Sequence, residues 1–201
     1  MLLTNAPEPA YLAADEVIDH EHPLVRQTAG RLRRGSADTA QAYAEAAYAF
    51  VRDTVPHSAD TGNPLVTWRA SDVLRERTGI CYAKSHALVA LLRAGGVPAG
   101  LCYQRLGVVH GLIALRLPGR DRWDRQDPRG NKPGIDARFS LDEERLAWRA
   151  RPERGEADLR TVHATPPPEV LAALRGAADL DHLWRLLPAD LPGSAELPGC
   201  A

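Results

Sequence analysis

The stretch from Gly79 to Leu106, GICYAKSHALVALLRAGGVPAGLCYQRL, constrains the fold more than any other part of the chain. Ala83, Ala87, Leu88, Leu91 and Leu92 recur at helical spacing, and Gly95–Gly96 ends the helix they imply. Cys81 therefore stands at or beside the first turn of that helix. Past the turn at Pro98, Ala99 to Leu106 reads as a strand and Val108 to Leu117 as a second. Arg122 to Gln126 reads as a third, stopping at Asp127–Pro128, and Ile135 to Phe139 is expected to add a fourth.

Helices come before this segment. His22 to Arg34 sets Leu24, Val25, Thr28 and Leu32 on one side and stops at Gly35. Ser36 is expected to cap a helix from Ala37 to Val55 with a stripe of Ala40, Tyr43, Ala47, Phe50 and Val51, ended by Pro56. Ser71 is expected to cap a short helix, Asp72 to Arg77, stopped by Gly79. After Leu141 the pattern thins to short helices at Pro168 to Leu174 and Leu180 to Leu186, then a proline-rich, peripheral end. Strands that follow one another without helical crossovers pair most simply as an antiparallel sheet, so the fold class is α+β. The 201 residues suit one domain: a helical part over about 11–60, a core over about 61–140 and an extension over about 141–201.

Charge narrows the partners. Lys plus Arg total 25 against 26 Asp plus Glu, a net charge of -1, which gives no electrostatic reason for nucleic acid or an anionic membrane to be the main partner. Apolar runs fall short of the roughly 20 residues of a membrane span. The first residues, MLLTNAPEPA, lack the basic start and apolar segment of a secretory signal, so a cytoplasmic setting with reduced thiols is expected. Three cysteines, Cys81, Cys102 and Cys200, are an odd number and argue against a disulfide framework.

Each thiol is then a possible nucleophile. A helix N-terminus favours the thiolate, and its unpaired N–H groups can also hold an oxyanion forming on an attacked carbonyl. Cys81 has that position, with Gly79 leaving room beside it; the plain alternative is a small buried apolar residue. Cys102 reads as structural in its strand and Cys200 as inert. A thiolate enzyme needs a base, and His110 in VVHGLIALRL is either that base or a satisfied core histidine. His86, five residues beyond Cys81, is turned by about 140° and points away. His57 in PHSAD could approach a cleft, though nothing in the sequence fixes it there, and His20 with His22 lacks further metal-ligand spacing. Asp127 in RWDRQDPRG is the carboxylate that would orient an imidazole if a hairpin at Pro118–Gly119 sets its strand beside that of His110; otherwise it caps the turn before Gly130. Asp124 should face the opposite side of the strand. Lys84 either assists Cys81 or points to solvent, Trp68 lines the cleft or packs in the core, and Arg31, Arg33 and Arg34 complement a helix C-terminus.

These motifs together resemble the transglutaminase-like superfamily of cysteine enzymes, kin to papain-like proteases and arylamine N-acetyltransferases. The likeness rests on G-I-C opening a helix that ends in LLRAGGVPAG, on a strand carrying His110, and on W-x-x-x-D-P from Trp123 to Pro128. It covers Ala70 to Asp136. A nearer likeness, to bacterial stand-alone transglutaminase-like proteins, extends over most of Tyr11 to Pro188 through ASDVL, GICYAKSHALVALLRA, CYQRL, HG and DPRGNKPGIDARFS. The resemblance implies a nucleophile at Cys81, a base at His110, an orienting acid at Asp127, and neither metal nor organic cofactor. It also implies a cysteine-dependent acyl-transfer enzyme whose substrate is a peptide, amide or acyl thioester, including one presented on a carrier protein. Hydrolysis of a peptide or isopeptide bond is the default. The alternatives are a biosynthetic acyltransferase or Dieckmann-type cyclase on a carrier-protein thioester, and a non-catalytic binding module on the same fold. One departure stands out: only Gly107-Val108-Val109 separates CYQRL from His110, so one wall of the cleft should be trimmed.

Overall fold

The computed structural model describes residues 1–193 and 195–197, so Cys200 lies outside the described residues. Helix α1 (Pro23–Arg34) is capped by the His22 ring and ends at Gly35 with Arg31, Arg33 and Arg34 in its last turn, where their charges complement the carbonyl end. Helix α2 (Ala40–Thr54) starts later than the sequence suggests. Thr39, in extended conformation, accepts from the Ala42 N–H at 3.1 Å, while the Ser36 hydroxyl turns back to the Arg33 carbonyl. A single turn, α3 (Ser58–Thr61), follows. In α4 (Ala70–Glu76), Ser71 is no cap: it lies inside the helix, its N–H held by Asp19 at 3.0 Å. That helix ends at Arg77, which adopts the left-handed conformation at φ 54°, rather than at Gly79.

Helix α5 (Cys81–Ala94) is the spine. Every residue from Tyr82 to Arg93 is buried, which is how a helix enclosed on all sides reads. It packs against α1, α2 and α4 and also against strands β2 (Ala99–Arg105) and β3 (Val109–Leu115). With β4 (Asp124–Gln126) and β5 (Ala157–Asp158) these strands form an antiparallel sheet in the order β4-β3-β2-β5. A separate two-stranded sheet pairs β6 (Thr161–Val162) with β1 (Leu3–Thr4). The fold is α+β, as expected.

The fourth strand is not where the sequence suggests. Ile135 to Phe139 is irregular: Gly134 turns the chain at φ 84°, and the Asn131 side chain accepts from the Ala137 N–H at 2.7 Å and donates to its carbonyl at 3.1 Å. A segment whose backbone is satisfied by a side chain has no need of a neighbouring strand. The fourth strand of the sheet is instead β5, from the extension, on the opposite edge beside β2. Two further helices, α6 (Pro168–Gly176) and α7 (Leu180–Leu186), lie close to their expected positions. The segment after α7 is pinned to the sheet where the Val109 N–H donates to the Pro188 carbonyl at 2.9 Å. Among the described residues no helix is long and apolar enough to cross a membrane.

Candidate active site

Ile80 enters in extended conformation and α5 begins at Cys81, so the thiol stands on the first helical residue, partly exposed. Gly79 allows the approach: a Cβ there would lie 2.9 Å from the Ala83 Cβ and 3.1 Å from the Thr67 hydroxyl. On the facing strand, the Gly111 N–H donates to the Cys81 sulfur at 3.5 Å. That contact needs a glycine, because a Cβ at Gly111 would sit 2.6 Å from Tyr82 Cδ1 and 3.3 Å from its Cα. Gly111→Ala should therefore push β3 off α5 and cost about 1–3 kcal/mol of stability. A thermal melt alongside the Cys81 alkylation rate checks this, both falling in the variant.

His110, next to Gly111 on β3, is buried, and its Nε2 lies 2.8 Å from an oxygen of Asp127. Nδ1 is thus the ring nitrogen left for proton exchange. Asp127 stands just beyond β4 and is fully buried. Its carboxylate also accepts from the N–H groups of Arg129 (3.0 Å) and Ala147 (3.1 Å), and Tyr48 donates to its carbonyl (3.0 Å). Burial disfavours a charged imidazole at His110, but the Asp127 carboxylate and the Cys81 sulfur outweigh it and raise the ring above its ordinary value. Burial pushes the Asp127 carboxyl up too, yet the charge and hydrogen bond of His110 leave it below the usual carboxylate range. The arrangement sets an imidazole, oriented by a buried carboxylate, beside a thiol, which is the layout of a cysteine nucleophile with its base.

The other expectations divide. Asp124 faces away, paired with Arg120 and Arg122 at 2.8 Å each. His86 is buried and holds the Trp68 carbonyl at 2.8 Å, with burial pushing its ring down to about 4. Trp68 packs against the core, not the cleft, under the guanidinium groups of Arg69 and Arg175. Lys84 neither assists Cys81 nor meets solvent: its ammonium is buried against the carbonyls of Val51 and Val55 at the end of α2. Burial and the nearby Arg129 charge push it down to about 7. Cys102 is buried, its thiol pushed up to about 12. His20 holds the Leu12 carbonyl and His22 caps α1; among the described residues no group of three or more metal-ligating side chains assembles.

Of four residues at or beside the site, the sequence offers His57 without fixing its place and does not pick out Trp148, Gln104 or Arg129. His57 caps α3, and its Nε2 lies 3.1 Å from the Cys81 backbone nitrogen. The Trp148 indole stands edge-on to the His110 ring, 4.7 Å between centroids. Gln104 holds the Trp148 carbonyl at 3.2 Å, and Arg129 is locked to Asp60 beneath that indole. Only His57 carried a signal, a histidine close after a helix end; Trp148 comes from a stretch without periodicity.

Cys81, His110, His57, Trp148 and Arg129 line a cleft of about 610 Å³. Its far wall is Leu106 and Val108 from the β2–β3 turn together with Trp184 and Leu187 from the end of the chain. The short hairpin is thus compensated by α7. Arg149 and an Arg151–Glu156 pair line the cleft as well.

Residues 26–116 match the family model of the transglutaminase-like superfamily. Over that stretch the chain is similar to the transglutaminase-like superfamily. The match covers Cys81 and His110 and stops before Asp127. No curated relative matches the chain. Among solved structures, a protein from Cytophaga hutchinsonii described as a candidate cysteine protease superposes with a TM-score of 0.51 at 17% identity, over 61% of this chain and 42% of that one. The periplasmic domain of TgpA from Pseudomonas aeruginosa, bound to ethylmercury, gives 0.47 at 21% identity, over 59% of this chain and 46% of its own. The chain spans less than half the length of either, and the first likeness is one of fold.

Proposed function

We propose that this protein is a cysteine-dependent acyl-transfer enzyme working through a thioester acyl-enzyme. The observation that supports it most is the 2.8 Å contact between His110 and a fully buried Asp127 at the cleft that holds Cys81. In this reading the Cys81 thiolate attacks an acyl carbon and the carbonyl π electrons move to oxygen, giving a tetrahedral oxyanion. Its collapse breaks the bond to the leaving group, which takes the proton from His110 Nδ1, and a thioester remains. His110 then removes a proton from water or an amine, whose lone pair attacks the thioester, and a second oxyanion collapses to return the thiolate. Asp127 holds the ring through Nε2 throughout. Hydrolysis of a peptide, isopeptide or other amide bond is the default outcome, since water is always present.

A carrier-protein thioester is the second reading. Arg149 lines the cleft and has no acidic partner among the described residues, while Val108, Trp184 and Leu187 offer an apolar wall. An apolar acyl chain on an anionic carrier would use both features.

The deciding experiment is the pH dependence of iodoacetamide labelling, resolved by peptide mass spectrometry. Cys81 should react rapidly below pH about 7, Cys102 should stay protected, and His110→Ala should slow Cys81 by about tenfold or more. A Cys81 that reacts only near pH about 8.5, like an ordinary thiol, would leave the non-catalytic binding module as the better reading.

A further inference from the structure

The His57 ring is asked to accept twice. The Ala59 N–H points at its Nδ1 from 3.2 Å and the Cys81 N–H points at its Nε2 from 3.1 Å. A neutral imidazole has one accepting nitrogen and an imidazolium has none, so one of these backbone N–H groups must face a ring N–H. The backbone that carries the ring is held beside Cys81. His57 pairs with Gly79 across an isolated bridge, and the Ser58 N–H donates to the Gly79 carbonyl at 3.2 Å, tying it to the residues just before Cys81. Burial, joined by the positive charge of Arg129, pushes the ring down to about 3, so it is neutral at working pH.

Two tautomers remain. With the proton on Nδ1, the ring accepts from Cys81 but presents an N–H to the Ala59 N–H at the helix N-cap, where an acceptor belongs. With the proton on Nε2, Nδ1 accepts from Ala59 as a cap should. The Nε2–H and the Cys81 N–H then face each other across 3.1 Å between their nitrogens with no acceptor for either, and a turn of the ring lets both reach one oxygen beside the thiol. An oxygen carrying developing negative charge answers both.

We propose that His57 is the second oxyanion donor of this site, its Nε2–H acting with the Cys81 N–H on the oxygen of the tetrahedral intermediate. The proposal rests on the acyl-transfer reading and adds to it the partner of Cys81. Two donors crowded together in the resting site gain their acceptor only as charge develops, so their contribution falls on the transition state rather than on the bound substrate. Two other groups near the thiol are otherwise engaged: the Gly111 N–H is on the sulfur itself, and the Trp68 ring packs against the core.

Two reactions of the same thiol separate this role from a structural one. Acylation by p-nitrophenyl acetate passes through an oxyanion as the thiolate adds to the ester carbonyl and p-nitrophenolate leaves. Alkylation by iodoacetamide displaces iodide at a saturated carbon and forms none. In His57→Ala the acylation burst should slow by about 10²–10³-fold, the usual cost of one oxyanion donor, while the alkylation rate stays unchanged. His57→Gln, which restores an N–H donor, should recover part of the loss. His57→Met fills the space without a donor and should match His57→Ala, which keeps the test sound if the alanine variant folds poorly. An unchanged ratio of the two rates, or an equal fall in both, overturns the assignment of His57 while leaving Cys81 a nucleophile. A wild-type Cys81 that alkylates no faster than an ordinary thiol overturns the acyl-transfer reading beneath it.

Discussion

Asp127→Asn should lower the rate of thioester formation at Cys81 by about 10²–10⁴-fold, the range associated with a correctly protonated acid–base partner. The carboxylate accepts from His110 Nε2, the Ala147 N–H and the Arg129 N–H, and all three donors find an oxygen. An asparagine can satisfy the Arg129 N–H with its oxygen, but its amide nitrogen then faces His110 and Ala147. His110 must accept at Nε2 and carry its proton on Nδ1, the nitrogen that should be free to take one from Cys81 or water. The imidazole stays in place in the wrong tautomer. The p-nitrophenyl acetate burst measures the effect, and a variant that retains more than a tenth of the wild-type rate would remove Asp127 from the mechanism.

The same pair governs stability against pH. Asp127 has its carboxyl lowered from an ordinary 3.8, so its contribution is present above that value and is lost as pH falls through its folded value. His110 has its ring raised from an ordinary 6.5, so its contribution is complete below that value and is lost as pH rises above it. The advantage of the wild type over Asp127→Asn in denaturant unfolding should therefore be largest between about pH 4 and 6.5 and shrink on either side.

What the sequence made legible follows from how local each determinant is. The α5 helix announces itself through Leu88, Leu91, Leu92 and a double glycine, all within one element, and its first residue is the thiol. His110 and Asp127 are legible because a short antiparallel connection places neighbouring strands side by side, a local consequence of the turn at Pro118–Gly119. The fourth strand was misplaced for the opposite reason. Ile135 to Phe139 has the right composition, but its pairing was pre-empted by Asn131, while β5 has only two residues and reaches β2 across a separation no pattern encodes. Trp148 belongs to the same class: its position depends on the Gln104 side chain and on the Ala147 N–H meeting Asp127, contacts between distant parts of the chain. The expected caps at Ser36 and Ser71 fail for separate reasons: Thr39 stands nearer the start of α2 and takes that role, while Asp19, distant in the chain, meets the Ser71 N–H inside α4.

Lys84→Met should destabilise the protein by about 2–4 kcal/mol, lowering the melting temperature by about 4–16 °C. Methionine matches the length of the lysine stem and fills its space, so the loss isolates the amine. That amine, on the turn of α5 following Cys81, donates to the Val51 carbonyl at 2.9 Å and to that of Val55, two carbonyls at the end of α2 that have no following turn to bond. Removing it strands buried acceptors and unfastens α2 from α5. The Asp127 turn should loosen as well, since Gly130 packs directly over the amine and the Arg52 carbonyl, and Tyr48 of α2 holds the Asp127 carbonyl. The pH dependence gives a second reading of the same residue. Its folded value of about 7 lies below the ordinary 10.5, so the cost of burying a charged amine is complete below pH 7 and disappears as pH rises to about 10.5. A neutral amine still donates to both carbonyls. The gap in stability between wild type and Lys84→Met should therefore widen with rising pH across that window, while the His110 contribution, common to both proteins, cancels in the difference. A gap that is small and flat with pH would mean that the α2 carbonyls are satisfied in some other way and that the lysine only fills space.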